Sequence, residues 1–168
     1  MRRVINGKVV FAILFGVYFV LAGLTMPAAS AAGTDSLSGI RTAKAVFDFR
    51  IGTGTAVAHL NLIHNTFKEL KEAGKSPDAV VVFIGPSVNL ISSSRKGLTD
   101  DERRVLDDVA RKVTEMSKDG IRFEICMVAA KVFKVDPTTI LPEISQVPNG
   151  WVSLIGFQNQ GYALVPAY

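Results

Sequence analysis

The single cysteine of this 168-residue chain, Cys126, is the side chain whose type and placement could most directly do chemistry. Thiolate is the nucleophilic form of cysteine, and neighbouring cations and helix starts favour it. Residues Ile121 to Cys126 alternate as a strand, with Ile121, Phe123 and Ile125 on one face and Arg122, Glu124 and Cys126 on the other. The thiol thus shares parity with charged residues, and a helical stretch begins at once with Met127, so an accessible thiolate is expected. Such a group can attack a persulfide or polysulfide, hold the outer sulfur as Cys-S-SH, and pass it to a second thiol by exchange. The opposing reading is a cysteine that only packs, as many buried ones do. Dithiol redox chemistry needs a resolving thiol within the chain, and the sequence has none.

Other candidates are weaker. His59 and His64 invite a metal reading, but five helical residues set them about 140° apart, so they do not form a ligand pair. His64 beside Asn65, at the edge of an apolar stripe, reads instead as a polar interface or pocket residue. Gly52-Thr53-Gly54 lies between a strand and a helix, where backbone N–H groups can cradle an anion, yet it lacks the phosphate-loop lysine and the full dinucleotide glycine pattern. A plain turn is the competing interpretation. Gly85-Pro86-Ser87 and Ser92 to Lys96 fall at and beyond a strand end, the edge where parallel sheets place ligands. No metal and no cofactor is expected.

The elements that must position these residues alternate. Ala45 to Arg50 begins as a strand, and from Thr55 the apolar positions Val57, Leu60, Ile63, Phe67 and Leu70 form the stripe of an amphipathic helix that Gly74 can end. Asp78 to Ile84 is apolar nearly throughout, as a strand covered on both faces should be. Thr99 to Glu102 is a capping box, opening a helix with Val105, Val109, Val113 and Met116 on its buried face and Gly120 at its end. Strand Ile121 to Cys126 and a helix from Met127 to about Phe133 follow, then a turn at Asp136-Pro137. In the tail, Ile144 to Val147 can be a short strand, and Trp151 to Ile155 suits a strand by composition. The glycine closing a helix-length segment favours instead a helix from Trp151 to Gly161, which leaves Tyr162 to Val165 as a fifth strand. Leu62 and Leu106 lie off the main stripes, as exposed aliphatic residues suited to self-association. Alternating strands and helices imply a mostly parallel sheet with helices on both faces.

The start of the chain reads differently. Arg2, Arg3 and Lys8 precede a 16-residue apolar run, Val9 to Leu24, and Ala29-Ser30-Ala31 is an A-x-A cleavage pattern. The expectation is a secretory signal peptide over 1–31, a flexible lead-in over 32–42, one domain over 43–168, and a periplasmic or otherwise secreted protein. An uncleaved anchor is the alternative, and it would be the one membrane contact. Three of the 19 Lys and Arg residues lie in this leader and all 15 Asp and Glu lie beyond it, so the mature balance is 16 against 15, or +1. The basic pI is therefore no evidence for nucleic-acid binding.

Three features then resemble the DsrE/DsrF-like family in order and spacing from Lys44 to Tyr168. They are Cys126 ending a strand that follows Gly120, the strand end Phe83-Ile84-Gly85-Pro86, and the closing run from Val147-Pro148-Asn149-Gly150 through Gln158-Asn159-Gln160-Gly161-Tyr162. The resemblance implies a three-layer α/β/α subunit with a mostly parallel, about five-stranded sheet, assembled as a homo-oligomer (trimer or hexamer). It also implies sulfur relay on the cysteine that maps to Cys126, with sulfur donor and acceptor proteins as partners. Better-known relay members work in the cytoplasm without a leader, so an exported member departs from the pattern. The expected function is an exported sulfur carrier or sulfurtransferase-like protein. A non-enzymatic oligomeric small-ligand-binding module is the alternative, and a redox-responsive subunit that pairs its lone thiol between chains is a third reading.

Overall fold

A computed structural model describes residues 35–168. The chain divides into two compact units, residues 1–38 and 39–168. Of the first only the 3₁₀ turn Asp35–Leu37 and the residue after it are described, and the expected signal peptide lies outside the described residues.

The second unit runs β1 (Thr42–Phe49), α1 (Ala56–Glu72), β2 (Ser76–Phe83), a 3₁₀ segment (Gly85–Ile91), α2 (Asp100–Lys118), β3 (Arg122–Cys126), α3 (Met127–Val132), a 3₁₀ turn (Pro137–Thr139), β4 (Ile144–Val147), α4 (Gly150–Asn159) and β5 (Ala163–Ala167). The strands form one sheet in the order β4-β3-β2-β1-β5, and every adjacent pair is parallel. The expected α/β sheet of about five strands is therefore present. The chain moves outward from β1 to β4 and then returns to the far side of β1, so the strand order reverses between β1 and β5.

Helices cover both faces. Leu60, Ile63 and Phe67 of α1 and Val109, Val113 and Met116 of α2 are buried, and the two helices pack together over the face carrying Ala45, Phe47 and Ala79. α4 lies on the opposite face, where Ser153 donates to the Glu124 carboxylate and the Arg122 guanidinium stands 5.5 Å from the Phe157 ring centre. Between the layers, Phe49 meets Phe83 edge-on at 5.2 Å and Phe83 stacks on Phe123 at 6.2 Å. The capping box forms as read: Thr99 Oγ1 accepts from the Glu102 N–H and Glu102 accepts from the Thr99 N–H at 2.8 Å.

Some expectations need correction. β1 begins at Thr42 rather than Ala45, because pairing with Ser76, Pro77 and Asp78 makes strand of residues without an apolar pattern. The segment after β2 is a 3₁₀ helix that buries Val88, Leu90 and Ile91. That segment also packs against α2, and Leu106, expected to be exposed, is buried; Leu62 is exposed as anticipated. Among the described residues, no helix is long and apolar enough to cross a membrane.

Candidate functional site: a thiol cavity at the carboxyl edge of the sheet

β3 delivers Cys126 to the carboxyl edge of the sheet and passes straight into α3, so the residue ends the strand and is also the N-cap of the helix (φ −72°, ψ 110°). The registers pair Phe49 with Phe83 and Phe83 with Ile125, and one residue further they bring Arg50, Ile84 and Cys126 to a common level. These three share the parity of Asp48, Val82 and Glu124, which is the α4 side. Neighbouring strands stand about 4.8 Å apart, so the Arg50 and Cys126 backbones are separated by about 10 Å, a gap an arginine side chain can span across Ile84.

The thiol is not accessible in the way its parity led us to expect. Cys126 is only 4 % exposed, because α4 covers the face it shares with Arg122 and Glu124. Gly150, the first residue of α4, packs directly on it: a Cβ there would fall 2.9 Å from the Cys126 Cβ and 2.9 Å from Ile84 Cγ1. Cys126 nevertheless forms part of the wall of a cavity of about 290 Å³, together with Arg50, Gly85, Phe133, Asn149 and Trp151. Asn149 caps α4 by accepting from the Trp151 N–H at 3.0 Å, which fixes the helix start beside the cavity.

Arg50 supplies the charge. Its Nε donates to both carboxylate oxygens of Asp48 at 2.9 Å, and Asp48 is almost fully buried. That hydrogen bond holds the guanidinium above its ordinary range against the opposing cost of burial, with Tyr168 and Cys126 adding smaller effects in the same direction. The guanidinium carbon also stands 6.0 Å from the centre of the Trp151 ring.

A second polar cluster occupies the opposite end of the same face. Tyr162 donates to Asp78 Oδ2 at 2.5 Å, and Arg122 Nη2 donates to Asp78 Oδ1 and to the Tyr162 oxygen, each at 2.7 Å. Burial pushes Asp78 upward, but the hydrogen bonds from Tyr162 and Arg122 outweigh it and hold the carboxyl below its ordinary range. Burial, and next the Asp78 acceptor, raise the Tyr162 phenol. The cluster pins β2, β3 and the start of β5 and has no part in the thiol cavity.

The remaining candidates are dispersed. His64 is fully buried between α1 and α2, with Nε2 2.5 Å from Asp119 Oδ2, while Asn65 is exposed on α1. His59 bonds the Thr55 carbonyl oxygen through Nδ1 at 3.0 Å. Among the described residues, no group of three or more His, Cys, Asp or Glu is placed to hold a metal ion. Gly52, Thr53 and Gly54 form an exposed turn, and Thr53 lines a cavity of about 470 Å³ of mixed character with Ser92, Lys96, Leu98 and Leu106. Gly85 takes φ +66°, a left-handed conformation suited to glycine, and Pro86 follows it at the start of the 3₁₀ segment. Ser87 is buried and donates to the carbonyls of Phe49 at 2.7 Å and Ile84 at 3.0 Å, which fastens this turn to the end of β1.

Sequence reasoning did not single out Asp48, Arg50 or Trp151. The only signal for Arg50 was its parity with Asp48 at the end of a strand, which gains meaning once the register with β3 is known.

The fold has counterparts. The model of the DsrE/DsrF-like family matches residues 8–166, and the chain belongs to that family. An uncharacterised protein of Aquifex aeolicus is 31 % identical over 128 residues, covering 73 % of this chain and 55 % of the relative, so the chain spans about half the length of the curated relative it matches. Among solved structures, a protein of unknown function from Methanobacterium thermoautotrophicum superposes with a TM-score of 0.57 at 16 % identity, covering 76 % of this chain and 98 % of its own. The ychN protein of E. coli gives 0.52 at 10 % identity over 75 % and 99 %. These two share the fold.

Proposed function

We propose that this protein is an exported sulfur handler that accepts and donates sulfane sulfur as a persulfide on Cys126. One observation carries the reading: the chain's single cysteine forms part of the wall of a cavity at the carboxyl edge of a parallel sheet, a wall it shares with an arginine held by a buried carboxylate. Ligands of open α/β sheets gather at this edge. Membership of the DsrE/DsrF-like family supports a sulfur-relay type of role.

The chemistry needs nothing beyond the thiol. The Cys126 thiolate attacks the outer sulfur of a donor persulfide R-S-SH; a bond forms between Sγ and that sulfur, the donor S–S bond breaks, and its electron pair leaves as R-S⁻. A thiolate of the acceptor then attacks the outer sulfur of Cys126-S-SH and releases the Cys126 thiolate. Intact mass after exposure to polysulfide tests the loading step.

Two further parts of the reading have their own tests. Export places cleavage near Ala31, and N-terminal sequencing of protein from the producing cell should begin near Ala32; an intact Met1 in the membrane fraction contradicts it. Self-association as a homo-oligomer is supported by α4, whose Trp151, Val152 and Ile155 are exposed, and by Val128, Val132 and Phe133 beside the cavity. Light scattering at micromolar concentration should return a multiple of the chain mass, and a monomer contradicts it.

A second reading, a small-ligand-binding module, is favoured by an apolar cavity of about 340 Å³ between α1 and strands β1 and β5. It predicts binding of an apolar fluorescent probe that Cys126→Ser leaves intact, with no sulfur taken up.

A further inference from the structure

We propose that Arg50 is the anion-recognition residue of the thiol cavity, and that the sulfur donor it selects is a small anionic polysulfide. This rests on the persulfide reading of Cys126 and goes beyond it by naming the substrate class.

Three observations converge on Arg50. It directly follows β1, beside the place where the strand order reverses, and its N–H donates to the Ala167 carbonyl of β5 at 2.9 Å, so its backbone is fixed on that side. Its side-chain hydrogen bonds use Nε alone: both go from that nitrogen to Asp48, and among the described residues neither Nη group has a hydrogen-bond partner. Third, Asp48 is almost fully buried and the Arg50 side chain is 34 % exposed, so a costly buried carboxylate holds a partly exposed cation that lines the cavity Cys126 shares.

A guanidinium hydrogen-bonded only at Nε keeps its remaining N–H donors for an anion, and in a partly apolar cleft its charge is less screened than in water. A polysulfide dianion matches that wall: it carries charge at its ends and a polarisable, apolar chain between them, suited to Phe133 and Trp151. The transfer balances as Cys126-S⁻ + Sₙ²⁻ → Cys126-S-S⁻ + Sₙ₋₁²⁻. The Sγ–S bond forms, one S–S bond of the chain breaks, and its electron pair leaves with the shortened dianion. The thiol sulfur is oxidised, the departing chain is reduced, and no further oxidant is required. Arg50 offsets the repulsion between two reacting anions.

The experiment compares iodoacetate with iodoacetamide, reagents that differ in charge but alkylate by the same step, and then measures polysulfide loading by intact mass. In wild-type protein the ratio of iodoacetate to iodoacetamide rates at Cys126 should exceed that of free cysteine. Arg50→Gln should lower that ratio and the polysulfide loading rate on the order of tenfold, slow iodoacetamide alkylation far less than iodoacetate alkylation, and Arg50→Lys should restore part of the loss. A wild-type ratio no higher than that of free cysteine overturns the proposal without recourse to any variant. Loading of Arg50→Gln at the wild-type rate overturns it while leaving the persulfide reading standing. Equal slowing of both reagents by Arg50→Gln overturns it too, since Arg50 then acts on the thiol itself and not on the incoming anion. A wild-type protein that takes no sulfur from polysulfide removes the persulfide reading and the donor assignment together.

Discussion

Gly150 and Cys126 meet so closely that a single Cβ on Gly150 would lie 2.9 Å from the Cys126 Cβ. The contact seats the start of α4 on the end of β3 and explains why a cysteine on the polar-parity face is buried. Gly150→Ala should therefore cost about 1–3 kcal/mol, as overpacking of a tight contact does. It should also change the alkylation rate of the native thiol, because Cys126 must shift to make room. Urea denaturation and iodoacetamide kinetics measure the two effects, and a variant indistinguishable from wild type in both contradicts the contact.

Acid should weaken the seam between α1 and α2. The hydrogen bond from His64, against the opposing cost of burial, holds the Asp119 carboxyl below its ordinary value of 3.8. A carboxyl depressed in the folded state stabilises the fold fully above its unfolded pKa, and that contribution disappears as pH falls through the lowered folded value. Wild-type stability should drop as pH falls below about 4, and Asp119→Asn should flatten that part of the drop. Denaturation midpoints between pH 5 and pH 2 check this, and identical acid slopes in the two proteins would contradict it.

Tyr162→Phe removes the hydroxyl that donates to Asp78 and accepts from Arg122. The loss at neutral pH should be about 1–2 kcal/mol, since the partners are charged. The phenol is raised above 10.0 by burial first and the Asp78 acceptor next, so its contribution is complete below that pH and is lost as pH rises through the higher folded value. The variant should accordingly lose less stability than wild type on the alkaline side. Thermal melts at pH 7 and above pH 10 measure both.

The sequence was most legible where a pattern is local. The stripes of α1 and α2 and the Thr99 to Glu102 box all follow from spacing and capping within a few residues. Thr42 to Lys44 were missed because neighbouring β2 makes them strand, and Leu106 because the 3₁₀ segment Gly85–Ile91 widens the buried side of α2. At the site, the parity of Cys126 could be read but its burial could not, because nothing within β3 announces that Gly150 will pack upon it. Arg50 belongs to the cavity through a register that spans three strands, information no single stretch of chain contains.

The intact mass of the purified protein, taken before and after polysulfide, with and without reductant, tests the central claim most directly. Wild type should gain the mass of one sulfur atom on Cys126 and lose it to reductant, whereas Cys126→Ser should gain none. An unchanged wild-type mass, with Cys126 alkylated only after unfolding, would show a packing cysteine and contradict the sulfur-carrier account.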